Sequence, residues 1–356
     1  MIGTGHNRAL GSMPPSAMPD RPQVPGSLER ARALVEPAMR AAVGRLDPAL
    51  RPAVAYHLGW ADAEGNPMAG DGGKGVRPAL AVLSAEAVGA PSAVGVPGAV
   101  AVELVHNFSL MHDDVVDGDR ERRHRPTVWA LFGMGEAIIA GDALQTLAVE
   151  VLLDTGGRAA PRAAASLVRA TQAMIAGQAS DMAFESREQV SPEECTRMEA
   201  AKTGALLGFA ASAGAELADA TPARVDALRE FGTQLGLAFQ AIDDLLGIWG
   251  APSVTGKPVA SDLRSQKKSL PVVLALASTT PEADQLRALF ANAPLDDAAV
   301  ARAALLIEAA GARHATEEWA TRHLDAALAA LATAEPVRSA HDDLTELAVF
   351  VTRREF

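Results

Sequence analysis

Apolar residues recur at intervals of three and four through 28–45, 76–88, 97–116, 135–153, 162–184, 192–217, 222–248 and 297–332. That spacing lays the apolar side chains of each stretch on one face of a helix with 3.6 residues per turn. No stretch sustains the alternation of a strand. Start signals fall where the pattern asks for them. Ser191-Pro192-Glu193-Glu194 reads as a capping box with proline in the first helical position, Thr221-Pro222 repeats the cap and proline, and Asp296 stands as a cap before the last stretch. Breaks fall at 69–73, 155–157 and 250–256, where glycine and other helix-ending residues gather. Residues 1–26 are rich in Gly, Pro, Ser and Met without periodicity, which predicts a flexible tail ahead of one helical domain over 27–356. An all-α, single-domain helical bundle around a central cavity is the simplest architecture that buries so many amphipathic faces.

Composition supports this reading and narrows the partners. Apolar residues make up 49% of the 356 positions and aromatic residues only 4%, a balance that favours helices with an aliphatic core. A net charge of −12 with no compensating basic patch argues against a nucleic-acid partner. The single cysteine, Cys195, cannot form an intramolecular disulfide and reads as a small helix residue, which fits a reducing cytoplasm. Glu103, Glu150 and Glu308 interrupt the best apolar runs, so no membrane span is expected, and the N-terminus lacks the basic and apolar regions of a secretory leader.

Two acidic clusters carry the candidate chemistry. In the segment from Glu103 to Asp117, Asp113 and Asp117 lie four residues apart, so both carboxylates leave one helix face about a turn apart, with Asp114 beside them. Carboxylates held that close repel unless a cation lies between them, and oxygen-only ligands suit a hard ion such as magnesium. The run Arg122-Arg123-His124-Arg125 follows directly, the density of cations that a diphosphate requires. The second cluster, Gln240 with Asp243 and Asp244, sits in an apolar helix where acids are costly unless paired or metal-bound. Lys202-Thr203 upstream and Lys257 and Lys267 downstream are candidates for a phosphate clamp, although each lysine alone reads as a surface residue. Gly72-Gly73-Lys74-Gly75-Val76-Arg77-Pro78 opens a helix whose free N–H groups and two cations suit an anion. It lacks the spacing of a P-loop, which disfavours a nucleotide.

Taken in order, these elements resemble the trans-isoprenyl diphosphate synthases, the polyprenyl synthetase family, from about Leu28 to the C-terminus. Asp113-Asp114-Val-Val-Asp117 is similar to the first aspartate-rich motif of that family, Asp243-Asp244 to the second, and Gly72 to Pro78 to its GGK-x-x-RP element. The resemblance implies an isoprenoid-synthase-type bundle and a transferase that joins isopentenyl diphosphate to an allylic diphosphate with three magnesium ions, working as a homodimer. It implies Asp113, Asp117 and Asp243 as direct magnesium ligands, with Asp114 and Asp244 orienting them. Lys74, Arg77, His106 and Arg123 would hold isopentenyl diphosphate. Arg122, Lys202 with Thr203, Gln240, Lys257 and Lys267 would hold the allylic diphosphate. Phe108, five positions before the motif, with the small Ser109 beside it, resembles the short-chain pattern that gives a C20 geranylgeranyl product, with C15 farnesyl second. His112 reads as structural.

Two positions depart from the family pattern. Gly75 stands where many members carry arginine, and Gly247 replaces the last acid of the second motif. The second departure keeps two other readings open, a class I terpene cyclase on the same fold and a non-catalytic subunit of a heteromeric synthase. Lys74, Arg77 and Arg123 speak against a cyclase, which needs no second diphosphate pocket, and the acids retained in both clusters speak against a subunit.

Overall fold

The structure, a computed structural model, describes residues 24–68, 75–251, 260–291 and 294–353. Most of the expected tail, Lys74 with the glycines before it, and Lys257 lie outside the described residues. The helices, in chain order, are α1 (Gly26–Val43), α2 (Arg51–His57), α3 (Val76–Ala87), α4 (Ser92–Val116), α5 (Val128–Phe132), α6 (Met134–Leu153), α7 (Ala159–Glu185), α8 (Pro192–Glu199), α9 (Ala205–Leu217), α10 (Pro222–Trp249), α11 (Ser261–Arg264), α12 (Leu270–Ala277), α13 (Pro281–Phe290), α14 (Asp297–Ala309), α15 (Ala312–Thr333) and α16 (Arg338–Thr352). Two-residue strands β1 (Glu121–Arg122) and β2 (Arg125–Pro126) pair antiparallel between α4 and α5.

The all-α bundle is the expected one, with α4 and α10 at its centre. α4 packs on α3, α6 and α9, and α10 packs on α9 and α15. Both start at a proline-marked turn; α4 carries its aspartates in its last turn, and α10 carries Asp243 and Asp244 shortly before its apolar end at Trp249. Close approach of the central helices depends on small residues. A Cβ added at Gly214 of α9 would lie 2.2 Å from the Ala81 carbonyl oxygen and 2.6 Å from the Ala85 nitrogen of α3. Ser84 uses the same proximity to accept the Gly214 N–H at 2.9 Å.

Several local expectations hold. Ser191 and Glu194 form the reciprocal capping box, and Asp296 accepts the Ala299 N–H at 2.8 Å. Others need correction. Thr221 occupies the N-cap of α10, but its side chain makes no capping bond. The stretch 297–332 is two helices, because Gly311 adopts a left-handed conformation between α14 and α15. The stretch 192–217 is continuous but contains a π-helical turn, Ala200–Gly204. The apolar stripes also miss the short helices α2, α5 and α11–α13 and the terminal α16. By length and composition alone, α4 is apolar enough to cross a membrane in spite of Glu103. It lies instead in the core, with 61% of that window buried.

Substitution of Gly214 by alanine should lower the stability of the bundle by about 2 kcal/mol or more, because the methyl group meets backbone that cannot swing aside. Urea unfolding followed by circular dichroism measures this; a midpoint unchanged from the parent would mean that α3 and α9 can separate freely.

Candidate active site

The first cluster stands where α4 runs out. Gly118, with φ of 70°, ends the helix just past Asp117, whose N–H closes the last turn on the Asp113 carbonyl at 2.8 Å. A helix C-terminus carries the negative end of the backbone dipole, so three carboxylates there are destabilised by the helix as well as by each other. Burial pushes the Asp113 carboxyl up to about 6; Asp117 and Asp114 add to that rise and Lys202 and Arg122 oppose it. Asp117 is raised by burial as well, again against Lys202. Asp114 is buried and takes the Arg122 Nε–H at 2.7 Å on one oxygen, while its other oxygen is buried without a partner.

The cations behind the cluster are presented by the β1–β2 hairpin. Arg122 pairs with Arg125, so Arg123 and His124 form a two-residue turn, with φ of 53° and 61°. Two consecutive left-handed residues are the geometry of a type I′ turn, which usually carries asparagine or glycine and costs on the order of 1–3 kcal/mol per strained residue. Tertiary bonds hold it. Tyr56 donates its hydroxyl to the Pro126 carbonyl at 2.8 Å, and Arg125 lies over the Tyr56 ring and donates to the Ala61 carbonyl at 3.0 Å. The turn therefore sends two adjacent arginines to different places. Arg122 reaches back to Asp114, and Arg123 lines a cavity.

That cavity, of about 900 Å³, is bounded by α1, α3, α4, α10 and α16 and takes in Arg77, Glu103, His106, Asn107 and Arg123. Arg77 opens α3 behind Gly75, whose φ of 65° explains a glycine where an arginine would be strained. Its Nη1 lies 3.4 Å from His106 Nε2, and its Nε is buried without a partner. Burial, with Arg77 and Arg123 beside it, holds His106 well below the ordinary histidine range, so the imidazole is neutral. His57, which the sequence did not single out, shares the cavity and is held at about 3 by burial and by Arg122 and Arg123. Glu103 is raised by burial against the pull of Arg77.

The second cluster divides its two acids. Asp243 is exposed, whereas Asp244 is buried and held on both oxygens, by Gln240 Nε2 at 2.8 Å and by the Leu270 N–H at 2.8 Å. Gln240 in turn accepts the Thr203 hydroxyl at 2.8 Å. Lys202 and Thr203 lie in the π-helical turn, whose extra residue pushes the chain outward between α7 and α10. α7 accommodates it at Gly177, where a Cβ would lie 2.4 Å from the Lys202 nitrogen.

Neither lysine is the surface residue that its sequence alone suggests. Lys202 pairs with Asp181 at 2.6 Å and lowers the carboxyls of Asp113 and Asp117. Lys267 stands 3.9 Å from Asp244 and 4.0 Å from Asp262, and although burial opposes its charge, Asp244, Asp262, Asp181 and Asp243 together raise it. Asp181 of α7 thus faces lysines from both clusters. It was missed because a lone acid in an alanine-rich helix carries little signal; its one clue is Gln178 a turn earlier, whose side-chain oxygen is buried without a partner.

The side chains on either side of the first cluster are quieter. His112 Nε2 meets the Ile138 carbonyl at 3.0 Å and ties α4 to α6, the structural role expected of it. Phe108 is buried edge-on against that imidazole, with ring centroids 4.8 Å apart, and the Ser109 hydroxyl bonds the His106 carbonyl of its own helix.

The donor set fits magnesium. Asp113 and Asp117 offer oxygen donors only, their charge is under-compensated, and the buried partnerless oxygen of Asp114 lies beside them. Among the described residues no three acids converge tightly enough to enclose an ion by themselves, in keeping with a cation shared between protein and substrate phosphates.

Comparison with known proteins agrees with the fold. Residues 60–307 match the family described as Polyprenyl synthetase. The chain is 45% identical over 328 residues to a (2E,6E)-farnesyl diphosphate synthase of Mycobacterium tuberculosis, covering 91% of each. It is 44% identical over 330 residues to a geranylgeranyl diphosphate synthase of the same organism, covering 92% of this chain and 93% of that one. A polyprenyl synthetase from Streptomyces coelicolor superposes with a TM-score of 0.89 at 52% identity, over 92% of this chain and 99% of the other. A geranylgeranyl pyrophosphate synthase from Corynebacterium glutamicum, solved with isoprenyl diphosphate and magnesium, superposes with a TM-score of 0.79 at 26% identity, over 94% of this chain and all of the other.

The raised Asp113 carboxyl has a measurable consequence. Its proton is held by the folded chain and lost by the unfolded chain between about pH 4 and about 6, so the stability it contributes is present at low pH and lost as pH rises through 6. In EDTA, Asp113→Asn should therefore raise stability at pH 7.5 by on the order of 2 kcal/mol, with the gain shrinking toward pH 5. Thermal melts across that range decide it, and equal melting temperatures at pH 7.5 would contradict it.

Proposed function

Since the chain belongs to the polyprenyl synthetase family and is a short-chain prenyl diphosphate synthase, we propose that it condenses isopentenyl diphosphate with allylic diphosphates up to C20 geranylgeranyl diphosphate, with C15 farnesyl diphosphate second. One observation carries the two-substrate reading: separate cationic groups flank the first acid cluster. Arg77 and Arg123 line the cavity beside the neutral His106, whereas Arg122, Lys202 and Lys267 stand among the acids.

In this reading Asp113, Asp117 and Asp243 would hold three magnesium ions with the allylic diphosphate, and the metal would supply stabilisation of the negative charge on the leaving diphosphate. Arg122, Lys202 and Lys267 stabilise the same charge, assisted by Lys257, while Gln240 and Thr203 fix the direction of Asp244. Release of the diphosphate leaves an allylic cation. Lys74, Arg77 and Arg123 orient isopentenyl diphosphate with its double bond toward that cation, and neutral His106 fixes Arg77 by accepting its N–H. The new carbon–carbon bond leaves a cation that loses a proton to the released diphosphate.

Phe108 sets the depth available to the growing chain. A small pocket of about 160 Å³ lies between α4, α6 and α7, lined by Val105, Val149, Leu167 and Thr171, with Val105 one turn before Phe108 on α4. Phe108→Ala should lengthen the product by one or more C5 units. Assay of the pure enzyme with magnesium, isopentenyl diphosphate and dimethylallyl, geranyl or farnesyl diphosphate, with products identified by mass, tests both claims. Linear C20 from the parent and longer chains from the variant are expected. Cyclic hydrocarbons from an allylic substrate alone would overturn the reading, and unchanged product length in the variant would remove Phe108 from it.

We further propose that the enzyme is a cytoplasmic homodimer. Val168, Ile175 and Met182 are exposed at seven-residue intervals on α7, and Met134 and Ile139 are exposed on the adjoining α6. Such a contiguous apolar face suits a second copy of the same surface. Ile175→Glu with Ile139→Lys should halve the mass measured by light scattering, and a parent already monomeric at micromolar concentration would refute the dimer.

A further inference from the structure

One residue lining the cavity of Arg77 and Arg123 takes no part in the reaction above, His57. It is the last residue of α2, whose Ala53, Val54 and Tyr56 are buried, whereas His57 keeps part of its surface open. α2 is fastened to the hairpin that presents the arginines, by the Tyr56 hydroxyl on the Pro126 carbonyl and by Arg125 on the Ala61 carbonyl. His57 is therefore held at a fixed place beside that turn. Arg122, Arg123 and Arg125 act on its ring, and its ring acts on His106, so it stands beside two of the groups assigned to isopentenyl diphosphate.

The hydrogen bonds around it define what the ring can do. Asn107 of α4 donates its amide to the Glu103 carbonyl at 2.8 Å and to Glu103 Oε1 at 3.1 Å, which leaves its amide oxygen to face an N–H. His57 supplies that N–H. A neutral imidazole has only one, so the other ring nitrogen is a bare acceptor. Amid arginines it stays unprotonated, but the charges of a diphosphate entering between Arg77 and Arg123 reverse the field. α5, which packs on α2, carries no charged residue, and α6 turns Asp142 to His112 and Glu150 to Arg45, with Glu136 in its first turn. Glu29, Arg32 and Glu36 of α1 line the cavity as well. The strongest charges on His57 are thus the arginines of the hairpin, which the diphosphate would engage.

We infer that His57 is a further residue of the isopentenyl diphosphate pocket: it takes a proton from solvent as the diphosphate enters and points it at a phosphate oxygen, while its other N–H stays on Asn107. The bond so formed joins two charged groups, the stronger kind of hydrogen bond. In the empty site the neutral ring adds no further cation to the repulsion between the arginines. Its charge arrives only with the ligand that needs it. This inference rests on the two-substrate synthase reading and couples a proton to the binding of one substrate, not of the other.

The test is calorimetric titration of isopentenyl diphosphate into the full chain loaded with magnesium and the thiodiphosphate analogue of geranyl diphosphate, which does not ionise. Titrations in two buffers of different ionisation enthalpy count the protons taken up on binding, and circular dichroism checks folding. His57→Gln keeps a neutral donor for Asn107 and cannot become charged. It should weaken isopentenyl diphosphate about tenfold or more, the loss for a hydrogen bond between charged groups. Its proton count should fall below that of the parent, and its affinity for the geranyl analogue should stay within about twofold. Equal proton counts in parent and variant, or unchanged affinity for isopentenyl diphosphate, would overturn the inference. An equal loss for both ligands, the mark of a structural role, would do the same. Should His57→Gln not fold, His57→Asn takes its place in the same measurements. A parent that binds the analogue but no isopentenyl diphosphate would overturn the functional reading and this inference with it, whereas a binding parent with an indifferent His57→Gln would overturn this inference alone.

Discussion

The mutual repulsion of carboxylates gathered at the ends of α4 and α10 is the constraint around which the rest of the molecule is arranged. In an apolar bundle these acids are tolerated only because cations are placed among them. Lys202, paired with Asp181, faces Asp113 and Asp117, Lys267 meets the second group through Asp244 and lies near Asp262, and Arg122 holds Asp114. Compensation stays partial, as the raised Asp113 carboxyl records. A site left short of positive charge is ready for a divalent cation with its diphosphate, and the instability of the free state becomes binding energy for the ternary complex.

Placing those lysines demands unusual local structure. A regular α-helix through 192–217 would keep Lys202 and Thr203 in the stripe of their neighbours; the π-helical turn displaces them, and the bare backbone of Gly177 lets α7 lie against the bulge. The hairpin after α4 does the same for the arginines, since the left-handed turn at Arg123 and His124 directs one toward the acids and the next into the cavity. The left-handed turn carries strain, and both devices are held by packing from elsewhere in the chain. The interior acids follow the same logic. Asp244 is pinned by Gln240 and the Leu270 N–H, while Glu199 beneath it is raised well above the ordinary range by burial and by Asp244 itself.

The apolar spacing of three and four residues was enough to read an all-α bundle, the starts of α8, α10 and α14, and the two helices that carry the acid clusters. The aspartates at i and i+4, followed by a dense run of arginines, were enough to read a hard cation with diphosphate. These features are legible because helix periodicity and charge density are local properties, written within a few residues of one another. Short helices such as α11 and α12 were not legible, because four to eight residues hold too few turns to show a stripe.

What the tertiary structure alone decided is which charges meet. Asp181 and Lys202 are 21 residues apart, and Asp244 lies 26 residues from the Leu270 N–H that fixes it, so no local pattern could pair them. Sequence determined the helices and the kinds of charge they carry, because those follow from local spacing. Packing determined the partners of each charge, because a side chain's electrostatic surroundings are set by whatever backbone can approach it, and that approach depends on small residues far away in the chain.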